Sequence, residues 1–211
     1  MKIGICGGTF DPFHRGHLDP ILSARAAMKW DRVYYIPAYR QPFKMERESA
    51  SAYHRFAMAA LATFELDAMF VLDLELRRGA VSYTVDTLEE LRAQHADDTL
   101  DWIIGDDNLA QLLQWKSIDR IFELANFAVL TREGGRLVRQ ADGTSALQGR
   151  VQDASTRPPS GAIVFAGNPT VPVSATDIRR RLRAGESIDD LVDPRVSRYI
   201  QHYGLYRKEQ A

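Results

Sequence analysis

Two histidines three residues apart follow a pair of glycines near the start of the chain, and together they could bind phosphoryl groups. Residues 7–17 read GGTFDPFHRGH and lie between a short apolar run and a stretch with helical spacing. The helix predicted from about Gly16 onward would direct its free N–H groups and positive dipole end toward a phosphate. His17 falls in the first turn of that helix, so His14 and His17 could face one ligand. Two imidazoles can donate hydrogen bonds to phosphoryl oxygens as negative charge builds up on them.

Other loops that bind phosphates or metals fit this run less well. Gly7 and Gly8 allow the backbone to approach a ligand closely, but the run lacks the Gly-Lys-Ser or Gly-Lys-Thr of a Walker loop. It also lacks the spaced glycines of the dinucleotide-binding fingerprint. Paired histidines can hold a metal, but no third ligand lies nearby in the sequence, so we expect no metal held by protein side chains.

A second phosphate-binding segment is predicted near the C-terminus, where residues 173–179 read VSATDIR. Ser174 is a natural N-cap, which places Thr176 and free backbone amides in the first turn of a helix. Arg179 lies one turn further on and could reach a phosphate with its fork of donors. The segment also fits a capped surface helix with a basic face, since three more arginines follow by residue 183.

A third segment, residues 82–88, reads SYTVDTL and is predicted to open a helix. Ser82 or Thr84 could cap this helix and leave backbone N–H groups free for an anion. By itself the segment is better explained as an ordinary capped helix.

A fourth segment, residues 105–109, reads GDDNL and follows a predicted strand. A glycine with carboxylates at the carboxyl end of a strand suits contacts to a ribose or an amine. Trp115 comes soon after, although a lone tryptophan most often belongs to a core, as we expect for Trp30 and Trp102.

The chain alternates strand and helix patterns from end to end. Strands are predicted at residues 2–6, 32–36, 70–76, 100–104, 127–130 and 162–165. Helices are predicted at residues 18–29, 51–64, 84–95, 108–124 (one or two helices), 174–184 and 195–203. The alternation predicts an α/β fold: a Rossmann-like, mostly parallel sheet flanked by helices, with a small C-terminal helical part. Ligands of such sheets lie at the carboxyl ends of the strands, so the loops after the first, fourth and last strands should form the site.

Length and composition limit the number of domains and the classes of partner that the chain can have. The 211 residues suit a single domain over 1–211, with residues 134–161 as a variable excursion on the outside and 174–211 as the C-terminal helices. With 27 Lys and Arg against 28 Asp and Glu, we expect no nucleic-acid partner. No apolar run is long enough to span a membrane, Cys6 is a single cysteine, and residues 1–10 lack a secretory signal. These features favour a cytoplasmic protein.

Together these segments resemble the bacterial nicotinate-nucleotide adenylyltransferases, members of the HxGH nucleotidyltransferase superfamily. GGTFDP followed by His14 and His17 carries the resemblance. Further family motifs recur in order: SYT at 82–84, glycine-any-aspartate at 105–107, a tryptophan, and SATDIR at 174–179. The resemblance therefore covers nearly the whole chain.

The resemblance implies a role for each matching residue. The catalytic residues would be His14, His17 and Arg179. The ATP-binding residues would be Gly7, Gly8, Thr9, Phe10, Gly105, Asp107, Ser174, Thr176 and Ile178. The acceptor would be bound by Lys44, the backbone amides of Tyr83 and Thr84, and Trp115 stacked on its pyridine ring. Mg²⁺ would accompany ATP, held mainly by its phosphates and water.

One segment departs from the family pattern. After the second strand the family commonly has two prolines, a histidine and a basic residue, whereas residues 41–44 read QPFK. Lys44 keeps the basic residue, but Phe43 stands in place of the histidine, so a contact made by that histidine is not carried over. Arg55, in the helix that follows, could support this loop. We also expect the loops around Lys44 and Trp115 to close over substrate.

The implied reaction transfers the adenylyl group of ATP to the 5′-phosphate of nicotinate mononucleotide, a step of NAD biosynthesis. The products are nicotinate adenine dinucleotide and pyrophosphate. Nicotinamide mononucleotide and phosphopantetheine are alternative acceptors within the superfamily. A non-catalytic nucleotide-binding module is an alternative of another class, against which the presence of His14, His17 and Arg179 argues. The expected partners are the two nucleotides, and the oligomeric state stays open.

Overall fold

A parallel β-sheet forms the centre of the fold. A computed structural model describes residues 1–41, 50–131 and 145–207. Within them the strands are β1 (Lys2–Gly8), β2 (Arg32–Pro37), β3 (Met69–Val71), β4 (Thr99–Gly105), β5 (Asn126–Leu130) and β6 (Ile163–Phe165). They are ordered β3-β2-β1-β4-β5-β6, and every pairing between neighbours is parallel. The strand order reverses between β1 and β4, which places the ligand crevice outside the carboxyl ends of these two strands.

Helices cover both faces of this sheet, which confirms the Rossmann-like α/β prediction. They are α1 (Arg15–Met28), α2 (Ala52–Thr63), α3 (Leu74–Arg78), α4 (Thr84–Gln94), α5 (Ile118–Leu124), α6 (Ser145–Gln148), α7 (Ala175–Ala184) and α8 (Pro194–Tyr203). A 3₁₀ segment, Asp106–Gln114, connects β4 to α5. Helices α1, α2, α7 and α8 pack on one face, and α3, α4, the 3₁₀ segment and α5 pack on the other. Among the described residues, no helix is long and apolar enough to cross a bilayer.

The alternation of side chains along the strands divides the core into two layers. In β2, Val33 and Tyr35 point into the layer under α1 and α2, whereas Tyr34 and Ile36 point into the layer under α4. All four are buried because helices cover both faces. Strands of this kind appear in the sequence as nearly continuous apolar runs, which is why most of them could be predicted.

The strand prediction for residues 70–76 was wrong in its second half. Strand β3 ends at Val71, and Leu74–Arg78 form α3. Leu74, Glu75 and Leu76 are all buried, so the apolar and acidic alternation does not mark an exposed strand face. Gly79 ends the helix in the left-handed conformation, at φ 64°, and donates its N–H to the carbonyl of Glu75.

A buried ion pair ties residues 145–161 to the sheet, within the stretch 134–161 that we expected to be a variable excursion on the outside of the fold. The side chains of Arg157 and Asp101 are both fully buried, with Nη2 of Arg157 2.7 Å from Oδ2 of Asp101. Trp30 Nε1 and Asn126 Nδ2 also donate to this carboxylate, at 2.7 and 3.1 Å. The pair lies at the start of β4, far from the carboxyl ends of the strands, so its role is structural. Residues 132–144 lie outside the described residues.

Candidate active site

The two histidines of residues 7–17, here called the first loop, lie side by side at the start of α1. Their rings are stacked, with centroids 3.7 Å apart and planes 25° apart. His14 precedes the helix, and its backbone N–H donates to Nδ1 of His17 at 3.3 Å. Because Nδ1 of His17 accepts, a neutral His17 carries its proton on Nε2 and can donate from there. The structure thus places His17 in the first turn, as the spacing predicted.

Aromatic side chains fix the orientation of the His17 ring. Phe10 meets it edge-on at 5.0 Å, and Phe13 lies against it at 5.5 Å. Both phenylalanines are buried. Phe10 has a φ of 53°, a conformation that a residue with a bulky side chain adopts only where its surroundings hold it. The buried rings of Phe10 and Phe13 therefore pack against the His17 imidazole and favour a fixed position for it.

The glycines of the first loop are required by packing within the chain. A Cβ at Gly7 would lie 2.6 Å from the ring of Trp102, and one at Gly8 would lie 2.8 Å from the ring of Phe10. Aromatic rings thus fill the space that side chains at these positions would take. The close approach of this backbone to a ligand stays a prediction. At Gly16 a Cβ would meet both the His14 ring and the carbonyl of Val173 at 3.0 Å. The missing side chain there lets the first loop and the segment before α7 come together.

Helix α7 delivers an arginine to the first loop. Ser174 caps α7 by accepting from the N–H of Asp177 at 3.2 Å, as predicted. Nη1 of Arg179 donates to the carbonyl of Asp11 at 2.6 Å, and its Nη2 lies 3.4 Å from Oγ1 of Thr176. The hydrogen bond from Arg179 to Asp11 spans 168 positions of sequence, so two distant segments meet at one edge of the sheet.

Three other side chains of α7, those of Ile178, Arg180 and Arg181, make their contacts elsewhere. Ile178 is fully buried in the core, and its N–H donates to the carbonyl of Ser174, so its assignment to ATP stays a prediction. Arg180 and Arg181 bind the carboxylate of Asp177 at 2.8 and 3.0 Å. The hydrogen bond from Arg180 lowers the pKa of Asp177 below its ordinary value. These arginines form the solvated basic face that the sequence predicted.

Ser82 ties the start of α4 to the loop after β2 instead of capping the helix. Its Oγ accepts from the N–H of Tyr39 at 3.0 Å, and its N–H donates to the carbonyl of Arg40 at 2.8 Å. Tyr83 is the N-cap residue, and no side chain accepts a capping hydrogen bond. The expectation that Ser82 or Thr84 caps α4 was therefore wrong. Without a side-chain cap, the first backbone amides of α4 keep their capacity to bind an anion.

Lys116 brings the Trp115 segment next to the start of α4. Its Nζ lies 4.3 Å from the centroid of the Tyr83 ring and 3.4 Å from Oδ1 of Asp86. Trp115 is half-buried and meets Phe127 edge-on at 5.9 Å. The structure thus places two of the predicted acceptor-binding elements side by side.

The other two tryptophans belong to the core, as expected. Trp30 is 2 % exposed and Trp102 4 % exposed. The predicted nucleotide contacts at the end of β4 lie beside the first loop, since β4 pairs with β1. Asp107 is exposed there, and Asn108 donates to its Oδ1 at 3.2 Å and to the carbonyl of Gly105 at 3.4 Å.

Arg55 supports the loop after β2 through hydrogen bonds to backbone carbonyls. Its guanidinium donates to three backbone carbonyls, those of Ala50 at 3.0 Å, Thr9 at 2.6 Å and Tyr39 at 3.2 Å. Thr9 also donates its hydroxyl to Oε1 of Gln41 at 2.7 Å. Burial lowers the pKa of Arg55, while the carboxylate of Asp11 opposes that change. The supporting role expected of Arg55 is thus visible in its contacts.

Lys44 and Phe43 fall within residues 42–49, which lie outside the described residues. The assignment of Lys44 to the acceptor phosphate, and the closing of its loop over substrate, both stay predictions.

Glu75 is a buried carboxyl that the sequence did not single out. It is 4 % exposed and accepts from the Thr87 hydroxyl at 2.7 Å. Burial raises its pKa above the ordinary value, while hydrogen bonds from Ser82 and Thr87 and the nearby Arg78 oppose that rise. Glu75 thereby joins α3 to the beginning of α4. Because residues 70–76 were predicted to form a half-exposed strand, the acid at position 75 was expected to be exposed.

We expect Glu75→Gln to stabilise the fold at high pH relative to low pH. A raised pKa means that the fold favours the protonated carboxyl, so wild-type stability falls as the pH rises through that pKa. Glutamine keeps an acceptor for Thr87 and has no proton to lose. The melting temperature of the variant, relative to wild type, should therefore rise by about 2–4 °C between pH 5 and pH 8. Glu123→Gln, at an exposed ion pair, is the control; equal pH dependence in both variants would contradict the assignment.

Sequence comparison places the chain among known proteins. A family model described as cytidylyltransferase-like matches residues 5–181. A probable nicotinate-nucleotide adenylyltransferase of Chromobacterium violaceum is 40% identical over 98% of this chain and 99% of its own length. The corresponding protein of Thermoanaerobacter sp. strain X514 is 35% identical over 100% of this chain and 96% of its own length.

Solved structures share the fold across nearly the whole chain. Nicotinic acid mononucleotide adenylyltransferase of Plasmodium falciparum, complexed with NaAD, superposes with a TM-score of 0.71. It is 19% identical, and the match covers 97% of each chain. A putative nicotinate-nucleotide adenylyltransferase from Vibrio parahaemolyticus gives a TM-score of 0.64 at 20% identity, covering 99% of this chain and 97% of the other.

Proposed function

Because the chain belongs to the nicotinate-nucleotide adenylyltransferases of the cytidylyltransferase-like family, we propose that it transfers the adenylyl group of ATP to nicotinate mononucleotide. The products are nicotinate adenine dinucleotide and pyrophosphate, so the enzyme is a nucleotidyltransferase of NAD biosynthesis. The observation that carries the proposal is the 2.6 Å hydrogen bond from Arg179 to the carbonyl of Asp11. It joins the two predicted phosphate-binding segments at the carboxyl edge of the sheet.

The reaction needs no activated nucleophile from the protein. An oxygen of the acceptor phosphate, already anionic, attacks the α-phosphorus of ATP. A bond from that oxygen to phosphorus forms, and the bond from phosphorus to the bridging oxygen of pyrophosphate breaks. The protein therefore acts by holding two phosphates in line and by stabilising the charge that develops between them.

We assign that stabilisation to groups on both phosphate-binding segments. Nε2 of His17 donates a hydrogen bond toward the α-phosphoryl group, and His14 lies stacked beside it. Arg179 contributes a permanent positive charge, and the capped N-terminus of α7 directs its amides and dipole toward the triphosphate. Gly105 and Asp107 lie at the adjacent strand end, where contacts to the nucleoside would be made.

The acceptor would lie against Tyr83 and Trp115, which pack with the core layer opposite to that of α1 and α7. The uncapped amides at the start of α4 receive the nicotinate carboxylate, and Trp115 stacks on the pyridine ring in this proposal. Lys116, held 4.3 Å above the Tyr83 ring, adds positive charge beside that carboxylate. The start of α4 is thereby suited to an acid in preference to an amide.

Mg²⁺ enters the proposal as a companion of ATP. Among the described residues, no cluster of three or more His, Cys, Asp or Glu side chains could hold a metal ion. A divalent ion bound to the phosphates of ATP and to water would need no such cluster, and it would neutralise charge on the leaving pyrophosphate. No residue of this chain is assigned to it.

Pyrophosphate release tests the choice of acceptor. The chain should be incubated with ATP and Mg²⁺ and with nicotinate mononucleotide, nicotinamide mononucleotide or phosphopantetheine. We expect kcat/KM at least about tenfold higher for the acid than for the amide, since a charged hydrogen bond is lost with the amide. Comparable use of the amide would place specificity elsewhere than at α4. Activity with phosphopantetheine alone would overturn the assignment of the acceptor, and nucleotide binding without pyrophosphate release would indicate a non-catalytic module.

A further inference from the structure

The segment that follows α8 contacts the first loop through Tyr206. Tyr206 lies three residues after the end of α8, and its hydroxyl donates to Oδ1 of Asp11 at 2.6 Å. The two residues are 195 positions apart in the sequence. Burial raises the pKa of Tyr206, and the carboxylate of Asp11 adds to that rise, so the hydroxyl stays protonated and acts as a donor.

Tyr206 is held in a strained conformation while it makes this contact. Its φ is 64°, in the left-handed region that non-glycine residues seldom adopt. Such a conformation persists only where the surroundings hold it, and it is found more often at functional sites than elsewhere. A hydroxyl donating to an ionised carboxylate is one of the stronger hydrogen bonds in proteins, and here it opposes the strain.

Asp11 connects this hydroxyl to the arginine of the candidate active site. Its side chain is buried, and Oδ1 also accepts from the N–H of Ala50 at 3.1 Å. Its backbone carbonyl accepts from Arg179, and its Oδ2 lies 3.6 Å from the same Nη1. Two donors on Oδ1 thus orient the carboxylate, and Oδ2 forms a long ion pair with Arg179, while the nearby guanidinium of Arg55 adds electrostatic attraction.

We propose that Tyr206 is a positioning residue for the triphosphate site, an inference that rests on the proposed function. By holding Oδ1 of Asp11, its hydroxyl limits the pairing between Asp11 and Arg179. Without it the carboxylate turns toward the guanidinium and forms a close ion pair. Arg179 is then drawn away from the phosphates, and part of its charge is neutralised.

The test is Tyr206→Phe, which removes the hydroxyl and keeps the ring. We expect kcat/KM for ATP to fall about tenfold, the scale of one hydrogen bond to a charged group. The KM for nicotinate mononucleotide should stay within about twofold, because the acceptor does not meet Arg179 in the proposal. Tyr203→Phe is the matched control, since that side chain is exposed at the end of α8, and it should leave both constants unchanged.

A second background separates positioning from general structural support. In Arg179→Ala, the further change Tyr206→Phe should lower kcat/KM for ATP by less than about twofold, because the residue to be positioned is gone. A full additional decrease there would overturn the inference, as would an unchanged kcat/KM in the single variant.

Measuring the equilibrium affinity for ATP in the absence of acceptor distinguishes a failure of this inference from a failure of the proposed function. Tyr206→Phe should weaken ATP binding in the wild-type background and not in Arg179→Ala. Equal ATP affinity of wild type and Tyr206→Phe overturns the inference, whatever the acceptor proves to be. Absence of dinucleotide product from the wild-type chain would instead count against the proposed function alone.

Discussion

Replacement of His17 by alanine should lower kcat by about 100- to 1000-fold, the effect of removing one donor to a developing phosphoryl charge. A neutral His17 carries its proton on Nε2, because Nδ1 accepts from the backbone N–H of His14. The ring is held by Phe10 and Phe13, so its donor is already oriented before substrate binds. The loss should therefore fall on the chemical step, with a much smaller change in the KM for ATP.

The control for this variant is His202→Ala, which removes a histidine from the exposed side of α8. It should keep wild-type turnover. Both variants should keep the circular dichroism spectrum and melting transition of a folded chain. Near-normal kcat in His17→Ala would contradict the catalytic assignment, since no other described group occupies the same position.

The largest effect on stability is expected from Arg157→Met. The variant leaves the carboxylate of Asp101 buried without its cation, which costs about 3–5 kcal/mol in comparable buried pairs. Trp30 and Asn126 still donate to that carboxylate, but they carry no compensating charge. Thermal unfolding should show a melting temperature lower by about 6 °C or more for a chain of this size.

Arg120→Met provides the comparison at an exposed ion pair. Arg120 binds Glu89 and Glu123 at 3.2 and 2.9 Å on the surface, and loss of such a pair costs about 0–1 kcal/mol. Adding Asp101→Asn to Arg157→Met should recover part of the stability, because it removes the unpaired charge. If Arg157→Met and Arg120→Met melt alike, the buried pair does not anchor residues 145–161 as described.

Local patterns were sufficient to predict the sheet, most of the helices and the residues of the first loop. Strands β1, β2, β4 and β5 are apolar because both faces of the sheet are covered, and this pattern is visible without a structure. His14 and His17 owe their proximity to a spacing of three residues at a helix start, which also lies within reach of sequence reasoning.

Contacts between distant segments could not be predicted in the same way. The alternation at 70–76 fits a strand as well as a short helix, and only packing decides for α3. Arg157 looks like a surface residue until Asp101 is known to face it. Asp11 stood inside the first motif without a role, because its partners, Tyr206 and Ala50, come from segments far along the chain.

The most direct test of the central claim follows the α-phosphate of ATP. The wild-type chain should be incubated with nicotinate mononucleotide, Mg²⁺ and ATP labelled at the α-phosphate. The products should then be separated and identified by mass spectrometry. Adenylyl transfer predicts that the label moves into nicotinate adenine dinucleotide, with one unlabelled pyrophosphate released for each dinucleotide formed. Label that stays in ATP, or that appears as free AMP without dinucleotide, would contradict the account.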